Sequence, residues 1–402
     1  MPSRHIFPSP GFDHYWKHGR GKKVIRKLKE IPTKAEIDKH IPKLFEVDSI
    51  ADEVIREVYF KFGFSAADKL VNDAIMNGID SLKDAPIPLV KLFASVNILP
   101  DWLDRKKVET GSAFCRRTGI FSLIVLRNYC LMGGYESSAI NKPLIFTGAL
   151  KKGAAKRMAE TIEFWVNVTG EKALEKNSIG FNSAIKVRLM HAFARVSILE
   201  KTDWKNEEWG TPINMWDMMA TNLGFSLAYV SGLRDLGFRP TKNELEGLFH
   251  LWKYIGFLLG IPPEYLPDDE ETAIRELYKW TITQPPADDD TRSLAHSLAY
   301  EPMLSSFPKK NWQRKTLINI HLSYHHFFLG KRSCQTMGLR STWINWYPYV
   351  VSRIERVREF FVMSSDSIRK KTELKGRKNQ VKIKDLFMEG HSDALASRSR
   401  QS

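Results

Sequence analysis

The sequence has few cysteines and no long uninterrupted apolar segment. Its three cysteines among 402 residues, an odd and widely spaced set, argue against a disulfide framework or a zinc site. The most apolar run, TGIFSLIVL, meets Arg127 after nine residues, whereas a membrane span needs about 18 or more. The N-terminus has no apolar core of signal-peptide length. We therefore expect a protein of a reducing compartment, the cytoplasm, without a membrane span.

Several motifs of common enzyme classes are also missing. The chain contains no G-x-x-x-x-G-K-[ST], no G-x-G-x-x-G after a strand, no H-E-x-x-H and no G-x-S-x-G. Their absence weighs against nucleotide-binding and standard hydrolase functions. Alternating apolar and polar patterns bounded by turn residues are nearly absent too, which argues against a β-sheet protein.

Acidic residues are outnumbered, and the excess positive charge is concentrated near the two ends. The formal net charge is +15, and the segments KHGRGKKVIRKLK and RKKTELKGRKNQVKIK carry much of it. Basic ends are usually solvated, so this charge alone does not predict a nucleic-acid partner. We interpret residues 1–40 as a basic N-terminal extension and 364–402 as a basic, mobile tail, both dispensable for chemistry.

Helical periodicity dominates the rest of the chain. Apolar residues recur at helical spacing through residues 41–363, and 43% hydrophobic content suffices for one large core. Thr241 and Glu244 are spaced as a capping box. The stretch GIFSLIVLRNYCLMGG is apolar nearly all round, which is typical of a core helix or of the wall of an apolar pocket. The fold class predicted is all-α, with a single large helical domain.

Three groups of residues could carry chemistry. His191 lies in AIKVRLMHAFARVSIL between Arg188 and Arg195; it is either a hydrogen-bonded core histidine or a ligand. Arg157, Glu160 and Thr161 share one side of a helix in RMAET, either as a solvated ion-paired face or as part of a site. His321 and His325 are spaced as a metal pair, but no carboxylate partner lies near them in sequence.

Four stretches of the sequence, taken in order along the chain, resemble one oxygenase family. They are R-x-x-E-T, V-R-x-x-H-A, the segment 209–267 that starts WGTPIN and ends in IPPEYLP, and LGKRSCQTMGL at 329–339. This order is similar to that of the bacterial latex clearing proteins and the fungal oxygenase of mycophenolic acid biosynthesis. The resemblance covers residues 110–340 or so.

The resemblance implies a globin-like core around haem b. It places the proximal iron ligand at His191, where a neutral imidazole nitrogen suits iron. Arg188 or Arg195 would hold a haem propionate, because arginine forms bidentate contacts with carboxylates. The helix with Arg157, Glu160 and Thr161 would cover the distal side, where oxygen binds.

Two departures from the family pattern limit what is carried over. The latex clearing proteins have lysine at the position of Glu160, and their upstream distal glutamate falls on Asn141 here. Both departures put cleavage of polyisoprene in doubt and leave oxygen chemistry intact. The sequence predicts a haem b-dependent oxygenase of an apolar, unsaturated or isoprenoid substrate; the alternative is a non-catalytic helical binding protein for an anionic or lipidic ligand.

Overall fold

The protein is built from α-helices. The computed structural model describes residue 4 and residues 9–148, 153–305 and 307–389, and within these ranges it contains no β-strand. The all-α prediction is therefore confirmed. The N-terminal half contains α1 (Pro10–Lys17), α2 (Ser49–Val54), α3 (Phe64–Asn77), α4 (Ile87–Asn97), α5 (Arg105–Arg117), α6 (Ile120–Val125), α7 (Ser138–Phe146) and α8 (Ala154–Val168).

The C-terminal half continues the same architecture with longer helices. It contains α9 (Ile179–Lys201), α10 (Met215–Leu223), α11 (Tyr229–Asp235), α12 (Lys242–Leu258), α13 (Glu270–Thr281), α14 (Asp289–Ala299), α15 (Asn311–Thr336), α16 (Tyr347–Met363) and α17 (Asp366–Met388). Shorter α- and 3₁₀-helical segments join them, at Gly21–Ile25, Lys34–Asp38, Ile41–Leu44, Phe60–Phe62, Ile79–Ser81, Met132–Gly134, Asn206–Trp209, Pro263–Tyr265 and Glu301–Met303.

Three of the helices change to a π-helical turn partway. The turns are Ile55–Tyr59 after α2, Leu126–Leu131 after α6, and Gly224–Ala228 between α10 and α11. The second and third turns pack against each other. Such turns often mark functional sites because the extra residue re-aims the side chains around it.

Helices α5 and α12 cross at very close range. A Cβ atom placed on Gly111 would lie 2.2 Å from the backbone oxygen of Gly247, so only glycine allows this approach. The apolar stretch beginning at Ile120 forms α6 and its π turn, and Leu123, Val125 and Met132 from it are buried in the main core. The prediction of a core helix here is confirmed.

The prediction that residues 1–40 form an extension outside the domain is wrong for α1 and Arg4, which pack against the domain. Phe12 and Trp16 of α1 are buried in a second apolar cluster with residues of α10 and α13. The fully buried guanidinium of Arg4 forms an ion pair with Asp217, with a distance of 2.7 Å between Nη2 and Oδ1. The apolar residues among the lysines, which a charge count overlooks, explain the packing.

The prediction of a mobile tail from residue 364 is wrong for α17. This helix lies across α5 and α8, and its Glu373, Gly376 and Gln380 are buried. A Cβ on Gly376 would lie 2.2 Å from the backbone oxygen of Arg116, so the two helices almost touch. The many solvated lysines made the segment look fully exposed, although one face of the helix consists of small and polar residues that are buried. The rest of the predicted tail, 390–402, lies outside the described residues.

None of the helices in the described part of the chain is both long enough and apolar enough to cross a membrane.

Candidate functional site

The arginines on either side of His191 tie α9 to the start of α2. Arg188 donates to Asp48 through Nε at 2.5 Å and through Nη2 at 2.9 Å. Asp48 is also the N-cap of α2, since its Oδ1 accepts a hydrogen bond from the backbone N–H of Ala51. Gly260 leaves room for this ion pair, because a Cβ there would lie 2.3 Å from Oδ2 of Asp48.

Arg195 forms the second ion pair, two turns after Arg188 along α9. Its Nη2 lies 2.6 Å from Oδ1 of Asp52, and its Nη1 donates to the backbone oxygen of Ile213 at 3.0 Å. Both partners are buried, so removing either one would leave an uncompensated charge in the core. The two ion pairs therefore fix the position of α9. The propionate-binding role of Arg188 and Arg195 stays a prediction.

The imidazole of His191 lies between these two ion pairs and has no hydrogen bond at Nδ1. That atom is buried and has no partner among the described residues. Burial of the ring, with the positive charge of Arg195 nearby, lowers the pKa of His191 to about 4, although Asp48 opposes this shift. The imidazole is therefore neutral at physiological pH. The unpaired Nδ1 does not fit the interpretation as a core histidine hydrogen-bonded through that atom, and the role of His191 as an iron ligand stays a prediction.

The other predicted cluster lies on α8, where its side chains are half-buried. Thr161 donates through Oγ1 to the backbone oxygen of Arg157 at 2.8 Å, one turn back. The guanidinium of Arg157 lies 5.9 Å from the centre of the Tyr135 ring. Arg157, Glu160 and Thr161 are all less exposed than a solvated face would be. The face is therefore partly covered by the protein.

The contact between α8 and α9 predicts which residues of α8 are level with His191. Helices α8 and α9 pack against each other, and Nδ2 of Asn167 donates to Oγ of Ser183 at 3.0 Å. Away from that contact both helices advance by the same rise per residue. His191 lies eight residues after Ser183, so it is level with Ala159, eight residues before Asn167. Glu160 is the next residue.

An apolar wall of three aromatic side chains adjoins α8. Phe164 lies on the same face as Arg157, Glu160 and Thr161, and its ring centre is 6.5 Å from that of Phe225. The Phe225 ring stacks on Trp252 with 4.7 Å between ring centres. Phe225 belongs to the π-helical turn that begins at Gly224, where a Cβ would meet no atom within 4 Å. In this wall of Phe164, Phe225 and Trp252, the two half-buried phenylalanines could contact a flat apolar group, and the buried Trp252 supports Phe225.

An open cleft lies next to the ion pair between Arg188 and Asp48. Its volume is about 430 Å³, and Asp48, Arg188 and Gly260 contribute to its walls. Arg188 is one helical turn from His191, but His191 itself is not among the residues that line the cleft.

The His321 and His325 pair does not complete a metal site. In the described ranges, no three histidine, cysteine or acidic side chains are arranged to hold a metal ion. Nδ1 of His321 lies 3.0 Å from Oδ1 of Asn128. Burial lowers the pKa of both histidines well below the usual value, so both rings are neutral.

Sequence reasoning missed the aspartates and the aromatic wall. Asp48 and Asp52 lie four residues apart in a short apolar helix, and Arg188 and Arg195 lie seven apart in a long one. The two spacings differ, so the sequence contains no signal that pairs these aspartates with these arginines. The wall has no such pattern either, because Phe164, Phe225 and Trp252 come from three separate helices.

Comparison with known proteins points to one family. The model of the family described as "ER-bound oxygenase mpaB/B'/Rubber oxygenase, catalytic domain" matches residues 119–357, more than half of the chain. The rubber oxygenase of Streptomyces sp. (strain K30) is 24% identical over 224 residues, which are 55% of this chain and 54% of the relative. The chain thus spans about half the length of that curated relative.

A solved structure supports the same fold. The structure of latex clearing protein in the closed state superposes with a TM-score of 0.66 and 18% sequence identity. The superposition covers 84% of this chain and 91% of the other. At this identity the likeness is one of fold.

Proposed function

Because the chain belongs to the family of the ER-bound oxygenase mpaB/B' and rubber oxygenase, we propose that it is a haem b-dependent oxygenase of an apolar substrate. The observation that carries the proposal is the neutral imidazole of His191, with its unpaired Nδ1, inside the matched region. The substrate would be a small apolar molecule, unsaturated or isoprenoid, and O₂ would be the second reactant.

The residues around His191 fit a haem group. The imidazole would bind the iron, and the apolar wall of Phe164, Phe225 and Trp252 would contact the flat macrocycle or the substrate. Bound haem would supply the binding and activation of O₂. A propionate would be held by Arg188 or Arg195, and it would share that guanidinium with the aspartate already paired to it. Arg188 is the one that lines the open cleft.

The polar side chains of α8 would form hydrogen bonds and transfer protons on the distal side of the haem. Arg157 would supply a hydrogen-bond donor on that side. The hydroxyl hydrogen of Thr161 is already donated to a backbone oxygen, so this side chain can accept a hydrogen bond. Glu160 is the group in this set that can take a proton from a substrate. Its half-buried position on this face favours a role inside the site over that of a solvated charge.

Replacing Glu160 with Gln is expected to keep haem binding and slow turnover. The amide preserves the shape of the side chain and removes the base, and a general base contributes about 10²–10⁴ in rate. Haem content and the rate of O₂ consumption with an active substrate measure the two effects. Glu163→Gln, on the same helix and equally half-buried, is the matched control. Turnover of Glu160→Gln at the parent's rate would show that Glu160 is not the base.

An absorption spectrum of the purified protein tests the proposal as a whole. The haem protein should show a Soret band and should form a pyridine haemochrome typical of haem b. A colourless protein that also fails to bind added haemin would overturn the proposal. That result would support a non-catalytic helical binding protein instead.

A further inference from the structure

Helix α16 presents an apolar stripe to solvent. The stripe consists of Trp346, just before the helix, and of Val350, Ile354, Val357 and Phe361. Their spacings of four, four, three and four residues put them on one face, and between 45% and 61% of each is exposed. Trp343, which is 80% exposed, extends the stripe beyond the helix start. Such a continuous exposed apolar surface marks an interaction site in a soluble protein.

The opposite face of α16 is fixed to the core. Glu359 accepts from Nη1 of Arg117 at 2.8 Å and from the backbone N–H of Arg239 at 3.0 Å. Ser352 is buried beside Gly237, where a Cβ would lie 2.8 Å from the backbone oxygen of Ser352. These contacts hold the helix in its orientation, so the apolar stripe cannot turn inward.

The surface beside the stripe is basic. Arg353 and Arg356 are exposed along one edge of the stripe, and Lys370, Lys371 and Lys375 are exposed on the adjoining α17. The two acidic residues of α16, Glu355 and Glu359, are both buried. The exposed apolar residues are thus bordered by cations that have no exposed acidic neighbour within α16.

We propose that the α16 stripe docks on an anionic lipid bilayer, with its aromatic and aliphatic side chains in the interface and its arginines at the headgroups. Helices that lie in the membrane surface combine a face of Trp, Phe and aliphatic residues with Lys and Arg. The positive border complements anionic headgroups, where each cation contributes about 1 kcal/mol of attraction. This docking is independent of the proposed oxygenase function.

The same charges argue against a second copy of the chain as the occupant. In a two-fold dimer through this face, each stripe would meet the identical stripe of its partner. Arg353 and Arg356 would then approach their own counterparts, and the buried Glu355 and Glu359 could not neutralise them. A negatively charged surface satisfies both the apolar stripe and its border.

Vesicle flotation with the full-length protein tests the proposal. The probes are vesicles of phosphatidylcholine with phosphatidylserine, and vesicles of phosphatidylcholine alone. The parent should float with the first and much less with the second. Ile354→Gln with Phe361→Gln should weaken partitioning by at least about tenfold, because two large apolar side chains leave the interface. Arg353→Gln with Arg356→Gln should weaken it by about fivefold per arginine, and only with anionic lipid.

The matched control is Ile87→Gln with Ile98→Gln, which removes two apolar side chains that are at least as exposed elsewhere. This control should float like the parent, and circular dichroism should show equal folding of every variant. The proposal is overturned if the parent stays with the unbound protein, or if the control loses binding as much as the stripe variant. It is also overturned if sedimentation velocity finds a dimer that the stripe variant dissociates. Haem content, measured separately, decides the oxygenase proposal and not this one.

Discussion

Replacing His191 with Ala is expected to yield a folded protein that retains little haem. The imidazole would be the protein's bond to iron, and loss of even a supporting group around a metal ligand costs 10–100-fold in affinity, so we expect a loss of at least about 100-fold. Because burial lowers the pKa of His191 to about 4, protons do not compete for the ring at neutral pH, and the loss should be seen there. The pyridine haemochrome assay measures haem per chain.

The control for this experiment is another histidine. His326→Ala removes a half-buried imidazole on α15 whose Nε2 lies 3.2 Å from the backbone oxygen of Arg340. This variant should keep the parent's haem content. Added imidazole should restore a Soret band to His191→Gly, because the free ring can enter the space left by the side chain. Unchanged haem content and Soret position in His191→Ala would rule out this residue as the proximal ligand.

Ending the chain at Ser364 is expected to destabilise the whole domain. Without α17, buried Arg116 loses Glu373, which lies 2.7 Å from its Nη2. Arg116 keeps its ion pair with Glu109, so this loss should cost less than the about 3–5 kcal/mol of a buried charge left wholly unpaired, yet still a sizeable part of the about 5–15 kcal/mol of a domain. The hydrogen bond from Gln380 Nε2 to the backbone oxygen of Cys115, 2.9 Å long, is also lost. Thermal unfolding followed by circular dichroism measures the effect.

A chain that ends at Glu389 is the matched control, because it loses 390–402 and keeps α17. It should melt at the parent's temperature. If the chain ending at Ser364 also melted there, the contacts of α17 with α5 would contribute nothing to stability, and the segment would be the dispensable tail that its charge predicts.

Local patterns in the sequence predicted local structure well. The capping box is confirmed: Glu244 N donates to Thr241 Oγ1 at 3.1 Å, and Thr241 N donates to Glu244 Oε2 at 2.8 Å. The same carboxylate group also accepts from Arg117, at 2.7 Å from its Nε, a partner 127 residues away. The first contact depends on four adjacent residues, whereas the second depends on how α5 and α12 cross. A single sequence contains the first pattern and not the second.

The candidate site could likewise be predicted only in part. The helices that contain His191 and Glu160 follow from periodicity, and the family resemblance is confirmed by the match over residues 119–357. Asp48 and Asp52 could not be assigned to Arg188 and Arg195 without the packing of α2 on α9. The ends were mispredicted because charge was counted over whole segments, whereas burial is decided residue by residue, as Trp16 and Gly376 show.

The late position of α17 in the chain sets an order of events during synthesis. Arg116 leaves the ribosome 257 residues before Glu373, its carboxylate partner on α17. At 5–20 residues per second this interval is roughly 13–50 s, during which α5 and α8 are exposed where α17 will cover them. The nascent chain is therefore a substrate for chaperones through most of its translation. The contacts of α5 and α8 with α17 can form only after α17 has been synthesised.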